Sequence, residues 1–312
     1  AWRAPMLKTG GIFAPVSREG ALLVNNMLLA AATASVFIGT LYPLFLDALT
    51  GAKITVGPPF FNYTFAPIFV LLFLIVPLGP LLGWKRADIA AAAERLYVAA
   101  GLAFLALLVS FAFFHDGPFL APFGMALAVW LVAGALSEIA LRIKLAGSTF
   151  AESMGRARRL PRAAWGMALA HGGLGICLAG VIGVTAWSEE LITSVAPGES
   201  VEIGGYTLTL QGVALRDGPN FDAMVGVVGV ARNGRDLGTL TPEKRRFAAE
   251  RQEKTEPAIR TNGISDLYVV LGEQASDGKW VLRAYHNNLA PLIWIGGCIM
   301  ALGGVFSLMD RR

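Results

Sequence analysis

His171 is the residue of this 312-residue sequence whose type and setting point most directly to chemistry. It lies eight residues past Ala163 in the charge-free stretch Ala163–Ser188. On a helix that is about 12 Å of rise at roughly 1.5 Å per residue. An ionisable side chain at that depth in an apolar segment is costly, and its presence there is by default a functional signal. Its surroundings, Trp165-Gly166-Met167-Ala168-Leu169-Ala170-His171-Gly172-Gly173-Leu174-Gly175, are crowded with small residues. Such a surface admits a partner helix or a flat macrocycle close to the backbone, and a neutral imidazole on it suits the axial position of haem iron. The alternative is a histidine that hydrogen-bonds a neighbouring helix while the glycines serve packing. The residues by themselves leave both readings open.

The other reactive side chains carry weaker signals. His115 sits with Asp116 and Gly117-Pro118, ordinary turn chemistry. His286 stands beside Tyr285, where it either lines the outer surface of a site or is an interfacial histidine with an aromatic neighbour. Cys177 and Cys298 fall inside apolar stretches without a CxxC spacing, which reads as small packed hydrophobes. Glu138 is expected to reach the interface or to pair with Arg142 at i+4, and Asp47 to snorkel from a helix end. The run Lys244-Arg245-Arg246 would either dock an acidic partner or form a solvated face balanced by Glu250 and Glu253. Between Ser188 and Asn288 no phosphate-loop glycines, metal-ligand cluster or nucleophilic triad appears, and nothing suggests a nucleic-acid partner.

The elements that must position these residues are membrane helices. The chain is 55% hydrophobic and 15% charged, against about a quarter charged in soluble domains. Six charge-free stretches reach or approach the roughly 20 residues a bilayer requires: Gly20–Leu46, Ile54–Trp84, Leu96–Phe114, Gly117–Ser137, Ala163–Ser188 and Asn287–Met309. The second is long, and Gly57-Pro58-Pro59 with Asn62 reads as a loop entering a helix near Thr64. Ser17 is placed to cap the first helix, with Glu19 in its favourable first turn. Asn25 and Asn26, one turn or so further, must face protein and predict packing within a larger bundle. The absence of an initiator Met at Ala1 reads as the start of a connecting loop in a longer protein.

Six spans put both ends of the sequence on one side. If that side is cytoplasmic it holds fourteen Lys/Arg, among them Arg18, Lys85, Arg86, Arg158, Arg159 and Arg162, and the opposite short loops hold only Lys53. The expectation is therefore a multi-pass protein of a bacterial inner membrane, in contact with lipid, with cytoplasmic termini and residues 188–288 in the periplasm.

Between Ser188 and Asn288 the composition changes. That stretch holds 25 of the 48 charged residues. Val201–Ile203, Tyr206–Gln211, Met224–Ala231, Leu267–Leu271 and Trp280–Tyr285 read as strands, and Asn233-Gly234 and Asp277-Gly278 as type I′ hairpin turns. Thr241-Pro242-Glu243-Lys244-Arg245-Arg246 interrupts the pattern. The fold class is a polytopic all-α bundle of six transmembrane helices with a small antiparallel β domain, sandwich or barrel, inserted before the last helix. The domains are 1–187, the five-helix membrane region, 188–288, the β domain, and 289–312, the final span and tail.

A family resemblance runs through nearly the whole sequence. It rests on Phe13-Ala14-Pro15-Val16-Ser17-Arg18-Glu19, Asn25-Asn26, Gly39-Thr40-Leu41-Tyr42-Pro43, Val56-Gly57-Pro58-Pro59-Phe60-Phe61-Asn62 and Trp165-Gly166 with His171. Pro242-Glu243-Lys244-Arg245, Thr255-Glu256-Pro257-Ala258-Ile259, Asp266-Leu267-Tyr268-Val269 and Trp294-Ile295-Gly296-Gly297 continue it. In order and spacing these resemble the C-terminal half of the CcmF family, the haem lyase subunit of cytochrome c maturation.

The resemblance implies a haem b held between two membrane histidines, the second of which matches His171. It implies thioether bonding of haem to the CxxCH site of apocytochrome c. The implied partners are apocytochrome c, a haem chaperone (CcmE type), apocytochrome-binding thioredoxin-like subunits (CcmH/CcmI type) and quinol as electron donor. The family's first membrane histidine, its Trp-Trp-Asp segment and its two periplasmic haem-binding histidines belong to the N-terminal half and have no counterpart in these residues. The resemblance therefore implies that this stretch alone neither binds nor attaches haem. A haem or small-molecule transporter and a non-catalytic assembly platform remain as alternatives, although no inverted repeat or paired broken helices support the transporter.

Overall fold

The computed structural model describes residues 13–113, 117–247 and 253–310. His115 and Glu250 lie outside them, as do Arg3, Lys8, Arg311 and Arg312 of the charge count. The chain divides into two compact units, one of Ala1–Phe111, Pro122–Ile176 and Gly296–Arg312, the other of Ala112–Ala121 and Cys177–Ile295.

The first unit is helical. Its elements are α1 (Arg18–Thr50), α2 (Pro58–Ile75), α3 (Ile89–Glu94), most of α4 (Tyr97–Phe113), most of α5 (Ala121–Arg142), α6 (Phe150–Arg159), the first part of α7 (Arg162–Trp187) and the last part of α8 (Ala290–Leu308). Among the described residues five helices are long and apolar enough to cross a membrane: α1, α2 with the 3₁₀ turn that carries it to Leu81, α5, α7 and α8. The remaining expected span, α4, is apolar but only 17 residues long. The outer faces are apolar, as with Met27, Phe37 and Leu44 of α1, each more than 60% exposed.

Three local details depart from or add to the sequence expectations. The second span is helical from Pro58, six residues before Thr64, because a proline at the first helical position gives up an N–H that would be unpaired anyway. Ser17 caps α1 as expected, its Oγ accepting from the Gly20 N–H at 3.0 Å. The connection before α7 holds an unanticipated helix, α6, opened by a capping box in which Thr149 and Glu152 bond each other's backbone N–H groups.

The second unit contains a β-sandwich. One sheet is ordered β1 (Glu189–Val195), β10 (Trp280–Asn288), β9 (Ser265–Gln274), β8 (Ala258–Thr261). The other is ordered β2 (Ser200–Ile203), β3 (Tyr206–Asp217), β4 (Phe221–Arg232), β6 (Glu243–Phe247), β7 (Glu253–Glu256), with β5 (Arg235–Leu240) paired to β4. Every pairing is antiparallel. Period-two alternation sends Leu208 and Leu210 of β3, Val228 and Val230 of β4, Leu267, Val269 and Leu271 of β9 and Leu282 of β10 into one core.

Asn233 and Gly234 both adopt positive φ and turn β4 into β5, as a type I′ turn requires. At the other hairpin only Gly278 is left-handed, and a bulge follows between Trp280 and Leu282. A longer turn with a bulged glycine replaces the expected two-residue one. The expected interruption at Thr241–Arg246 also needs correction. Glu243–Phe247 is strand β6, paired with the first half of β4 after β5 has paired with the second half. Its charged side chains are held by ion pairs, so it lacks the apolar alternation that marks an ordinary half-buried strand.

Candidate functional site

The site forms around α7, whose small residues let α8 and α5 approach on different faces. A Cβ on Gly166 would lie 2.6 Å from the Gly303 carbonyl oxygen of α8, and one on Gly173 would lie 2.8 Å from that of Gly296. A Cβ on Gly175 would meet the Ala128 carbonyl oxygen of α5 at 2.7 Å. These contacts are with backbone, which cannot swing aside, so glycine is required at each. The remaining face carries Met167 and, one turn later, His171.

That face opens on a cavity of about 230 Å³. Its other walls come from Arg18, Ala21, Leu22, Asn25 and Leu28 of α1, and from Leu72, Ile75, Val76, Gly79 and Pro80 at the end of the second span. Residues 18, 21, 22, 25 and 28 fall on one face of a helix at 3.6 residues per turn, so α1 presents one stripe to the cavity. His171 is half-buried, and among the described residues its ring has no hydrogen-bond or ion-pair partner.

The cavity's cationic end is built by the chain's first described residues. The Ala14 N–H donates to the Lys85 carbonyl at 2.8 Å, Ala87 to Val16 at 2.9 Å and Arg18 to Gly83 at 2.9 Å. Glu19 accepts from the Lys85 N–H at 2.6 Å. Gly20 allows the turn, since a Cβ there would strike the Pro15 carbonyl oxygen. The stitched segment sets the Arg18 guanidinium 4.9 Å above the Trp84 ring. Gly39 serves α1 similarly further along, where a Cβ would lie 2.6 Å from the Phe60 ring.

The other sequence candidates are structural. His286 is 7% exposed in the second unit, with Nε2 3.0 Å from Ser265 Oγ and Nδ1 3.5 Å from a Glu189 carboxylate oxygen. It packs edge-on to Tyr206, inside the sandwich's hydrogen bonding and away from any outer surface. Glu138 pairs with Arg142 at 2.7 Å, the expected i+4 contact. Lys244 meets Glu253 at 2.7 Å and Glu273 at 3.2 Å, and Arg245 meets Glu243 at 2.8 Å. Lys244 and Arg245 are thus neutralised within the sandwich, which favours the solvated-face reading. Cys177 and Cys298 are free thiols. Among the described residues no three His, Cys, Asp or Glu side chains gather to hold a metal ion. A metal at His171 would therefore take its remaining ligands from a prosthetic group or another polypeptide segment. Sequence reading missed Arg18 and Asn25 as site residues, although their spacing on α1 with Leu28 was a readable sign of a common face.

Residues 186–288 match the family model described as the CcmF C-terminal β-sandwich. Over all 312 residues the chain is 48% identical to the cytochrome c-type biogenesis protein CycK of Rhizobium meliloti (strain 1021), covering 46% of that protein. The chain matches the C-terminal half of the CcmF family. It is 36% identical over 313 residues to the cytochrome c-type biogenesis protein CcmF of Pseudomonas aeruginosa, covering 47% of it. The solved structure named Cytochrome c Heme Lyase CcmF has the same fold, with a TM-score of 0.75 at 24% identity, over 95% of this chain and 46% of that one. The chain thus spans about half the length of the relatives it matches.

The cavity's chemistry fits one side of a haem site. The walls are mainly apolar, His171, unpartnered among the described residues, faces inward, and a cation stands at the end of the α1 stripe. Its volume is below the roughly 300–1,000 Å³ of complete ligand pockets, so these residues supply part of an enclosure.

Proposed function

We propose that this chain forms part of a cytochrome c haem lyase and that His171 would be one of the residues holding a membrane haem b. The observation that carries this reading is the unpartnered, half-buried imidazole facing an apolar cavity with Arg18 at its rim. Bound there, haem would supply one-electron redox chemistry. A neutral ring nitrogen of His171 would donate its lone pair to iron. Met167, Leu22, Leu28 and Leu72 would exclude water, and the Arg18 guanidinium would receive an anionic group.

The reaction served would be thioether formation at the CxxCH site of apocytochrome c. Each cysteine S–H adds across a vinyl C=C, the sulfur bonding one carbon and the proton passing to the other, with no net electron transfer. Such a step depends on positioning more than on a protein nucleophile. In this reading residues 188–288 are periplasmic and the termini cytoplasmic, which agrees with the excess of basic residues on that side. Apocytochrome c, a haem chaperone, thioredoxin-like subunits and quinol would be its partners.

The test is His171→Ala in the full-length protein. The expected result is loss of the membrane haem's Soret band and a fall in holocytochrome yield. Unchanged haem content in the purified variant overturns the proposal. Substrate flux without haem would instead support the transporter, and partner capture without haem the platform.

A further inference from the structure

α6 leads through Leu160-Pro161 into α7, and at this corner Arg158, Arg159 and Arg162 line a cavity of about 440 Å³ with Met309 and Asp310 from the end of α8. The three guanidinium groups are exposed, and among the described residues none has a carboxylate partner within ion-pair distance. Arg156 on the same helix behaves differently: it donates to the Ile143 carbonyl at 3.2 Å and lies 4.0 Å from Glu152. The one carboxylate in the cavity is already engaged, Asp310 Oδ2 accepting from the Ala163 N–H at 2.9 Å. Three positive charges therefore converge on a recess whose own acid is committed to the start of α7.

The recess is also at a defined depth. The apolar length of α7 begins at Arg162 and that of α8 ends at Leu308, so it lies where two spans leave the hydrocarbon. α6 shows the pattern of a helix lying in the interface plane: Phe150 and Met154, one turn apart, are 74% and 40% exposed, while its last turn is Arg156, Arg158 and Arg159. Guanidinium groups bind phosphate oxygens in pairs, and basic recesses between spans suit acidic headgroups.

We propose that Arg158, Arg159 and Arg162 form a binding site for the phosphate of an anionic phospholipid headgroup, which anchors α6 and the α7–α8 corner to one leaflet. A free phosphate group offers the same chemistry. The experiment takes the full-length protein in detergent and adds phosphatidylglycerol, phosphatidylcholine or inorganic phosphate, reading binding by native mass spectrometry and the unfolding midpoint.

Phosphatidylglycerol is expected to bind and raise the midpoint, with phosphatidylcholine much weaker. The variant R158Q/R159Q/R162Q should lose on the order of a hundredfold in affinity for phosphatidylglycerol while unfolding as wild type in phosphatidylcholine. Arg235→Gln, at the exposed start of β5, should bind as wild type. Inorganic phosphate that binds with the same arginine dependence and displaces the lipid would leave the phosphate site standing and make a free phosphate its source. Equal phosphatidylglycerol binding by wild type and variant overturns the proposal. If the triple variant fails to fold, R158Q and R159Q singly carry the test, and unchanged affinity in both overturns it.

Discussion

Gly173 of α7 and Gly296 of α8 meet backbone to backbone, so close that a Cβ on Gly173 would lie 2.8 Å from the Gly296 carbonyl oxygen and equally close to the Met300 nitrogen. His171 precedes Gly173 by two residues, about 200° around the helix. The contact that draws α7 against α8 therefore turns the imidazole away from α8 and towards the cavity shared with α1. Gly166 and Gly303 repeat the approach seven residues along each helix. The glycines aim His171 although they do not line its cavity.

Gly173→Ala should accordingly cost haem occupancy while leaving His171 in place. A methyl group facing backbone forces the helices apart, and such overpacking costs about 1–3 kcal/mol. Haem per protein from the Soret band should fall below wild type, with a lower unfolding midpoint. Gly297→Ala is the control, because a Cβ there has nothing within 4 Å. Equal haem content in the two variants would mean that the seam does not set the imidazole's direction.

Arg18→Gln should separate anchoring from ligation. If its guanidinium, 4.9 Å above Trp84, stands over an anionic group of bound haem, removing the cation disfavours the more negative reduced state. The Soret band should persist and the midpoint potential should drop by on the order of 50 mV, where 59 mV is tenfold for one electron. Arg18→Lys should recover part of the shift. A potential identical to wild type in Arg18→Gln would remove Arg18 from the site.

The spans could be read because lipid demands uninterrupted apolar length, and that demand is local in sequence. His171 could be singled out for the same reason, as an ionisable group where none is cheap. Its cavity could not, because Arg18 and Leu72 reach it from helices far away in the chain. α6 was hidden by its composition: three arginines in the last turn read as boundary charge, although Thr149 and Glu152 spelled a capping box. β6 was hidden because Lys244 answers to Glu253 of β7 and Glu273 of β9, and Arg245 to Glu243 of β6 itself and Glu256 of β7. His286 stayed ambiguous for a similar reason, since Ser265, Glu189 and Gly204 come to it from three other segments.

Gly204→Ala should destabilise the sandwich through His286. Gly204 has φ +57°, and a Cβ on it would overlap the His286 ring. The substitution adds left-handed strain to a clash with a buried side chain whose Nε2 is bonded to Ser265. A loss of about 1–3 kcal/mol is expected. Amide exchange in β10 should quicken, whereas Gly205→Ala, equally left-handed but facing open space, should show the strain alone. Equal exchange in the two variants would show that the histidine contact contributes nothing.

The Lys244–Glu253 pair gives the β6–β7 edge a dependence on pH. The hydrogen bond from Lys244 holds the Glu253 carboxyl below its ordinary value of 4.5, so its contribution is present above about pH 4.5 and is lost as pH falls through the depressed value. The hydrogen bond to Glu253, helped by that to Glu273, pushes Lys244 above its ordinary 10.5, so that contribution is complete below about pH 10.5 and is lost only as pH rises beyond it. Protection of the β6 and β7 amides, corrected for the intrinsic exchange rate, should be flat near neutrality and decline on acidification below about pH 4.5. Glu253→Gln should lower the neutral plateau and flatten its acid limb, with Glu273 left as the remaining partner at 3.2 Å. An acid limb unchanged in Glu253→Gln would assign the sensitivity to other carboxylates of the sandwich.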